Sequence, residues 1–521
     1  MTMREIQHLI GENIRLKSQL ETKDECIKIK DEEIALKNER ILYLERQLYG
    51  GRSEKQLPDY DTAQLSLFNQ WEGDGLEEEQ AIVKSLVEEI IEKSEERRKK
   101  VKTRSGVSEK RTYKLPSHLE RIETILEPEG LNPETMVKIG EDVSERLMLE
   151  PSRFWVERTV RPIYKEKQEK ESLSAGIHQA PPKETILPGC RVGSSVLSQI
   201  ILDKFLYHLP EYRQVKRFKD LDIEISTSSL NRWVHDLADK LYPLYLAQVN
   251  QVLSSDYIQV DETILPVIDR PGKARKAYVW AVRSVLSPGL FFHYEKGSRS
   301  QEVVLKILKD YQGALQTDGY AAYSIYEDKS GVLPLGCLAH VRRKFETAFS
   351  TFPQAQEALD YIALLYMLEG NMEAEHLNYE EIRSQRQEKA YPILQQMERW
   401  MKKTINTCTP NSTLAKALKY AFGMWPRVSR YCKDGRFQID NNGIENAIRP
   451  IALGRKNYLF AGNNSGAEDN CVFYSLIGSC EQAGINPHRW LSQTLDRIPK
   501  LQTPINWEEL LPANGVVDDK T

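Results

Sequence analysis

The sequence predicts a multidomain α+β chain: an N-terminal coiled-coil helix, a small β unit, a helix-turn-helix-like helical block, and an α/β domain with a helical insertion. Three observations carry that prediction. The chain has 521 residues, more than one ordinary core organises. Its hydrophobic pattern changes along the chain, from a period of seven to alternation to helical spacing. Hydrophobic residues make up 40% and charged residues 28%, which supports large cores and excludes a wholly disordered chain. Lys+Arg is 72 and Asp+Glu is 76, a net charge of −4, so a globally basic nucleic-acid coat is excluded while local basic segments stay open. No apolar run reaches the roughly 18 residues of a membrane span. The first residues, MTMREIQHLIGENIRLK, lack the apolar core of a secretion signal, and the seven cysteines are scattered. A reduced, cytoplasmic protein is expected.

Residues 1–49 read as a leucine-zipper-like helix. Ile6, Asn13, Leu20, Ile27, Ile34, Ile41 and Leu48 stand seven apart, Leu9, Leu16 and Leu44 fill the partner position, and Lys23, Lys30 and Lys37 interrupt it. β-branched residues with one Asn at the first core position favour a parallel dimer, because paired Asn side chains fix register. A homodimer or higher oligomer is therefore expected. Residues 50–114 read as a linker, acidic and then basic: residues 97–114 hold nine basic residues and one acid, Glu109. Such a stretch either neutralises phosphates or is simply solvated.

Residues 115–189 alternate in short pieces and read as a small β unit. Residues 190–250 read as three helices, the third capped by Ser226 or Thr227 after a short DIEI turn. Ser228, Ser229, Asn231 and Arg232 on that third helix suggest a helix-turn-helix, although any three-helix bundle would carry the same pattern. Residues 251–345 bring three consecutive strands, an amphipathic helix and a fourth strand, hence an α/β layer. Residues 346–435 are helical throughout and read as an insertion. Residues 436–480 read as a capped helix followed by a basic, strand-like run, and 481–521 as a last helix and tail.

Three acids stand at element ends: Asp261 in IQVDET, Asp318 in LQTDGY and Glu445 in DNNGIENAIRP. Three carboxylates can hold two divalent ions, one serving the attacking oxygen and one the leaving oxygen, and hard oxygen ligands suit Mg2+ or Mn2+. The three are expected to converge, roughly 4–8 Å apart without metal because like charges repel. Asp256, Asp440 and Glu262 are expected outside the ligand set. Cys337 and His340 form half a zinc pattern and are expected as a structural pair beneath the site. Arg342, Arg343 and Lys344 follow directly, and Arg449, Arg455 and Lys456 flank Glu445 on the other side; both clusters suit DNA phosphates. Tyr458 could stack on an extruded base.

DET, TDGY and NNGIENAIRP, with LGRKNYLFAG, FLYHLPEYRQVKRF, STSSLNRW and GCLAHVRRKF, resemble the transposases of the insertion sequence 66 family, within the DDE transposases. The resemblance covers most of the chain. It implies a ribonuclease-H-like catalytic domain with Asp261, Asp318 and Glu445 as the metal-binding triad, double-stranded DNA as substrate, two Mg2+ or Mn2+ ions, and companion proteins from the same element. Members of the family usually carry paired CxxC motifs before the helical block; residues 116–189 hold no cysteine, so no zinc is expected here. Phe154, Trp155, Val156, Val160 and Ile163 are then expected to hold the β unit. A nuclease or resolvase on the same fold, or a decayed non-catalytic DNA-binding protein, remain the alternatives.

Overall fold

The computed structural model describes residues 154–161, 163–165, 177–179, 181–270, 273–327 and 329–514. The predicted coiled coil, the linker and most of the β unit lie outside the described residues. Those described fall into two compact units, divided between Lys183 and Glu184.

In the smaller unit, β1 (Ile163–Lys165) pairs antiparallel with β2 (Ile177–Gln179). Residues 154–160 are not a strand, and Trp155, Val156 and Val160 are 76%, 92% and 70% exposed. Of the residues expected to hold this unit together, Phe154, Trp155, Val156 and Val160 are exposed.

Among the described residues the larger unit begins with α1 (Ser194–Phe205), α2 (Glu211–Lys219) and α3 (Thr227–Leu253). The Ser226 hydroxyl accepts from the Ser229 amide at 3.1 Å and caps α3 as the sequence predicts. Leu230, Val234, Leu237, Leu241 and Leu244 recur at helical spacing along α3 and are all buried. Arg217 on α2 pairs with buried Asp203 on α1 at 2.5 Å, fixing these helices together.

A five-stranded mixed sheet follows, in the order β5-β4-β3-β6-β7. Strands β3 (Tyr257–Arg270), β4 (Lys273–Ser284) and β5 (Leu290–His293) are antiparallel; β6 (Gly313–Gln316) and β7 (Val332–Leu335) run parallel to β3. The sequence reading missed β7, whose VLPL carries a proline. Pro334 is tolerated because β7 is an edge strand, and its carbonyl accepts from Arg430 at 2.7 Å.

Helix α4 (Gln301–Ile307) links β5 to β6. After β7 come α5 (Leu338–Phe349), α6 (Ala355–Ala374), α7 (Tyr379–Gln385), α8 (Tyr391–Thr407) and α9 (Thr413–Val428), then α10 (Asn442–Tyr458), α11 (Asn464–Gln482) and α12 (Pro487–Arg497). Adjacent residues of β3 point to opposite faces. Ile258 joins a core with α1, α3, α10, α11 and α12, whereas Tyr257 joins a second core with α5, α6, α8 and α9.

The segment LGRKNYLFA is not strand-like as expected. Helix α10 runs on to Tyr458, because Ile444, Ile448, Ile451 and Gly454 bury one side of it at helical spacing. Ala461 pairs with the sheet, in a parallel bridge to Val267.

Candidate active site

Asp261 lies mid-strand on β3, opposite Ala281 of β4. Strand β6 runs parallel beside it and ends two residues before Asp318, and the register that pairs Gln259 with Gln316 brings the two acids level with each other, although β3 runs on past Asp261 to Arg270 instead of ending there as expected. A turn holds Asp318 in place: its Oδ1 accepts from the Tyr320 amide at 2.8 Å, and its carbonyl accepts from the Tyr420 hydroxyl at 2.7 Å. Gly319 takes φ +84°, and a Cβ there would run into the sulfur of Met424, so the turn needs glycine.

Carboxylate oxygens of Asp261, Glu262 and Asp318 lie within 4.8 Å of one another. Burial, then Asp318, Glu262 and Glu445, push the Asp261 carboxyl up to about 8. Glu262 was expected outside the ligand set, yet it stands inside this acidic group. Its carboxylate is already engaged by Arg299, which donates from Nε at 2.7 Å, and by the Tyr323 hydroxyl at 3.0 Å. Asp440 keeps apart, accepting from the Tyr366 hydroxyl at 2.7 Å.

Glu445 sits in the first turn of α10. Its Oε2 accepts from Arg343 at 2.5 Å, and its buried Oε1 accepts no hydrogen bond and lies 3.7 Å from His340 Nδ1. Arg343 also donates to His340 Nε2 at 3.2 Å, and burial, followed by Arg343, holds this imidazole below its usual value. Cys337 precedes α5; its Sγ accepts from the Asn441 amide at 3.4 Å, and burial pushes the thiol up to about 12. Cys337 and His340 thus brace the start of the glutamate-bearing helix.

A network of glutamines supports all three acids. Gln259 and Gln316 stand two residues before Asp261 and Asp318, and Gln259 Nε2 donates to Gln316 Oε1 at 2.8 Å. Gln259 also donates to the Asp440 carbonyl at 3.1 Å and Gln316 to the Gln438 carbonyl at 2.8 Å, tying β3 and β6 to the segment that enters α10. Tyr257 completes the network from below, donating to Gln316 Oε1 at 2.6 Å. The sequence reading missed these residues. The signal was present as a buried polar residue at i−2 of each aspartate, on the same side of the strand.

The predicted DNA contacts divide. Arg232, Arg343, Lys344, Arg449 and Lys456 are exposed, and Lys344 lies over the Tyr420 ring at 5.4 Å. Three others turn inward, contrary to expectation. Arg342 pairs with Glu346 one turn on at 2.7 Å and is only 15% exposed. Arg455 donates to Thr263 Oγ1 at 3.2 Å and to the Ile264 carbonyl at 2.5 Å, anchoring α10 to β3. Tyr458 shares a 3.0 Å hydrogen bond with Tyr474 and packs on the core, so its ring is not offered for stacking.

The donor set fits a hard divalent cation. Several carboxylates crowd one partly buried place, burial and then the neighbouring acids push the Asp261 carboxyl up, and one oxygen of Glu445 is left without a donor. Among the described residues no helix is long and apolar enough to cross a membrane, and the six cysteines are all free thiols.

Comparison with known proteins gives three family matches. The description "Transposase IS66 family" covers residues 189–469, "IS66 C-terminal element" residues 475–513, and "Transposase C of IS166 homeodomain" residues 38–124. Similar curated proteins come from Sinorhizobium fredii (strain NBRC 101917 / NGR234). "Uncharacterized protein y4jD" is 31% identical over 500 residues, 92% of this chain and 94% of its own length. "Uncharacterized protein y4qI" is 32% identical over 422 residues, 76% of each chain, and "Uncharacterized protein y4hP" 29% over 488 residues, 88% of this chain and 85% of its own.

Proposed function

The chain belongs to the insertion sequence 66 transposase family, and from that premise we propose that it cuts double-stranded DNA at element ends and joins them to target DNA. The five-stranded sheet, three strands antiparallel and two parallel, supports a ribonuclease-H-like catalytic domain. The observation that carries the reading is the convergence of Asp261 and Asp318 in a partly buried acidic group, with Glu445 near enough to raise Asp261 further.

In this reading Asp261, Asp318 and Glu445 hold two divalent cations, Mg2+ or Mn2+. These would activate the attacking oxygen and neutralise charge on the leaving oxygen. Water attacks first, and the freed 3′-hydroxyl then attacks target DNA; both steps need the same in-line geometry, so one site serves both. The chain's own residues do the positioning. Arg299 and Tyr323 keep Glu262 engaged beside the site, and the glutamine network holds the spacing of the acids. Arg343, half exposed on Glu445, and Lys344 offer positive charge to the scissile strand's phosphates. The exposed start of α3 with Arg232 reads the element end, and residues 1–49 bring two chains together. Action on chromosomal DNA in the cytoplasm, with companion proteins of the element, completes the proposal.

The test is nicking of a duplex carrying the element's terminal repeat. Full-length protein should nick it with Mg2+ or Mn2+ and transfer the freed end, and Asp261→Asn should lose both activities by a factor of at least about 10³. Nicking without transfer would turn the reading into a nuclease, and nicking retained by Asp261→Asn would end it.

A further inference from the structure

Helix α10 is exposed along one stripe: Asn442, Asn446, Arg449, Leu453, Lys456 and, just past its end, Phe460. The intervals of four, three, four and three from Asn442 to Lys456 place those five on one face, and Phe460 follows the turn that ends the helix. The exposed residues of the stripe include no acid; Glu445, three positions after Asn442 and four before Arg449, stands on the same face but is largely covered. The stripe starts beside Glu445 and ends in exposed apolar side chains: Leu453 is 49% exposed, Leu459 61% and Phe460 40%.

The end of the stripe is built rather than frayed. Leu459 takes φ +68° and ψ −45°, and the Phe460 amide donates back to the Tyr458 carbonyl at 2.8 Å. That is a γ-turn of the rare, strained hand. Leu459 is the sole aliphatic side chain at positive φ among the described residues. Its amide donates to the Arg455 carbonyl at 3.1 Å, the Ala461 amide donates to the Pro266 carbonyl at 2.8 Å, and the Ile268 amide to the Ala461 carbonyl at 3.0 Å. The chain is thus pinned on both sides of a turn that holds Leu459 and Phe460 out into water. Strain of this kind persists only where the surroundings enforce it.

We propose that this face of α10 is the track for the DNA strand leaving the acidic site, and that Leu459 and Phe460 wedge between bases where that strand is unpaired. The proposal rests on the transposase reading and adds the substrate form, an end whose strands are parted. Asn446, Arg449 and Lys456 supply donors and charge for phosphates, while the apolar tip has nothing to gain from a phosphate and fits between base steps. From Glu445 to Phe460 is fifteen positions, about 22 Å at 1.5 Å per residue. At about 3.4 Å per nucleotide, the wedge lies about six or seven nucleotides from the phosphate under attack.

The experiment uses full-length protein with Ca2+ in place of the active metal, and a duplex of the terminal repeat with 2-aminopurine at each of positions four to nine from the cleavage point. Wild-type protein should brighten the probe severalfold within that window and not outside it. Leu459→Ser/Phe460→Ser should bind the duplex but leave the probe dark. With Mg2+ this variant should cut the paired end at least tenfold more slowly, and within about twofold of wild type once mismatches are built into the window. Leu459→Gly relieves the turn, so its melting temperature should not fall; it should show the same paired-end defect, separating lost function from lost fold. Binding without brightening, or a defect that mismatches do not repair, overturns the proposal and points to a protein partner for the stripe. Brightening without any cutting leaves the wedge standing and removes the catalytic reading, so the two fail separately.

Discussion

Asp261 has burial and three other carboxyl groups acting on it at once, and the result is a carboxyl pushed up to about 8 from an ordinary 3.8. The sign of its effect on stability follows from linkage. A raised folded value means the native state holds a proton that the unfolded chain releases. Its contribution is complete below about pH 4 and is lost as pH rises through about 8. The metal-free protein should therefore lose up to about 1.4 kcal/mol per pH unit across that window from this group. Asp261→Asn should flatten the dependence and raise the melting temperature at pH 8, measured by calorimetry in a chelator; an unchanged pH profile would mean that neither burial nor the neighbouring acids raise this carboxyl. The basic residues allow a second contrast at this scale. Arg343 is half exposed while Arg455 is spent on Thr263 and the Ile264 carbonyl. Arg343→Ala should lower the salt slope of DNA binding by about one without unfolding the protein. Arg455→Ala should leave that slope alone and cost about 1–3 kcal/mol, because it removes the donor from the partly buried Ile264 carbonyl and from Thr263. Salt titration and denaturant melts of the pair read both effects.

At the scale of elements, strands and helices place the acids, and the glutamines set their spacing. Gln316 bonds Gln259, Tyr257 and the carbonyls of Gly336 and Gln438, so it touches every segment that carries part of the site. Gln316→Leu keeps the size but strands those partners. It should cost about 1–3 kcal/mol and weaken Mn2+ binding, since the entry to α10 is no longer held to β6. Unchanged Mn2+ affinity in a melted-back but folded variant would assign the network to stability alone. Much of this layer was legible in the sequence. β3 and β4 announce themselves by apolar, β-branched runs, α3 by its cap and spacing, and Asp318 by standing where such a run ends; Asp261 was expected at a strand end too, but β3 continues past it to Arg270. What was hidden needs partners distant in sequence. VLPL at 332–335 is a strand only because β6 lies beside it. LGRKNY joins α10 because buried Ile444, Ile448 and Ile451 extend a helix into it, overriding the LFA run that suggested a strand. Glu262 reads as a neighbour of the site until Arg299, 37 residues away, is seen on its carboxylate.

The whole molecule raises the question of what folds by itself. Both cores draw their side chains from Ile186 to Leu511, and none comes from earlier in the chain among the described residues. The C-terminal end takes part as well: Leu510 and Leu511 are buried, and the Trp490 indole donates to the Leu510 carbonyl at 3.1 Å. Residues 184–521 should therefore fold without the preceding segments. The heptad pattern of 1–49 then has a different task, since a stripe of isoleucine and leucine with one asparagine stabilises a helix only against another helix. A transposition reaction joins two ends, and a dimer would present two copies of the acidic site. The expected outcome is specific. Residues 184–521 should melt cooperatively within a few degrees of the full chain and run as a monomer by light scattering, while the full chain runs as a dimer or larger. Residues 50–521 should match the shorter piece in mass, and Asn13→Leu in the full chain should tighten association while loosening the number of partners. A 184–521 piece that associates as strongly as the full chain would move the oligomer contact out of the heptad helix and onto the catalytic unit. A piece that fails to fold would mean that earlier segments complete one of the two cores.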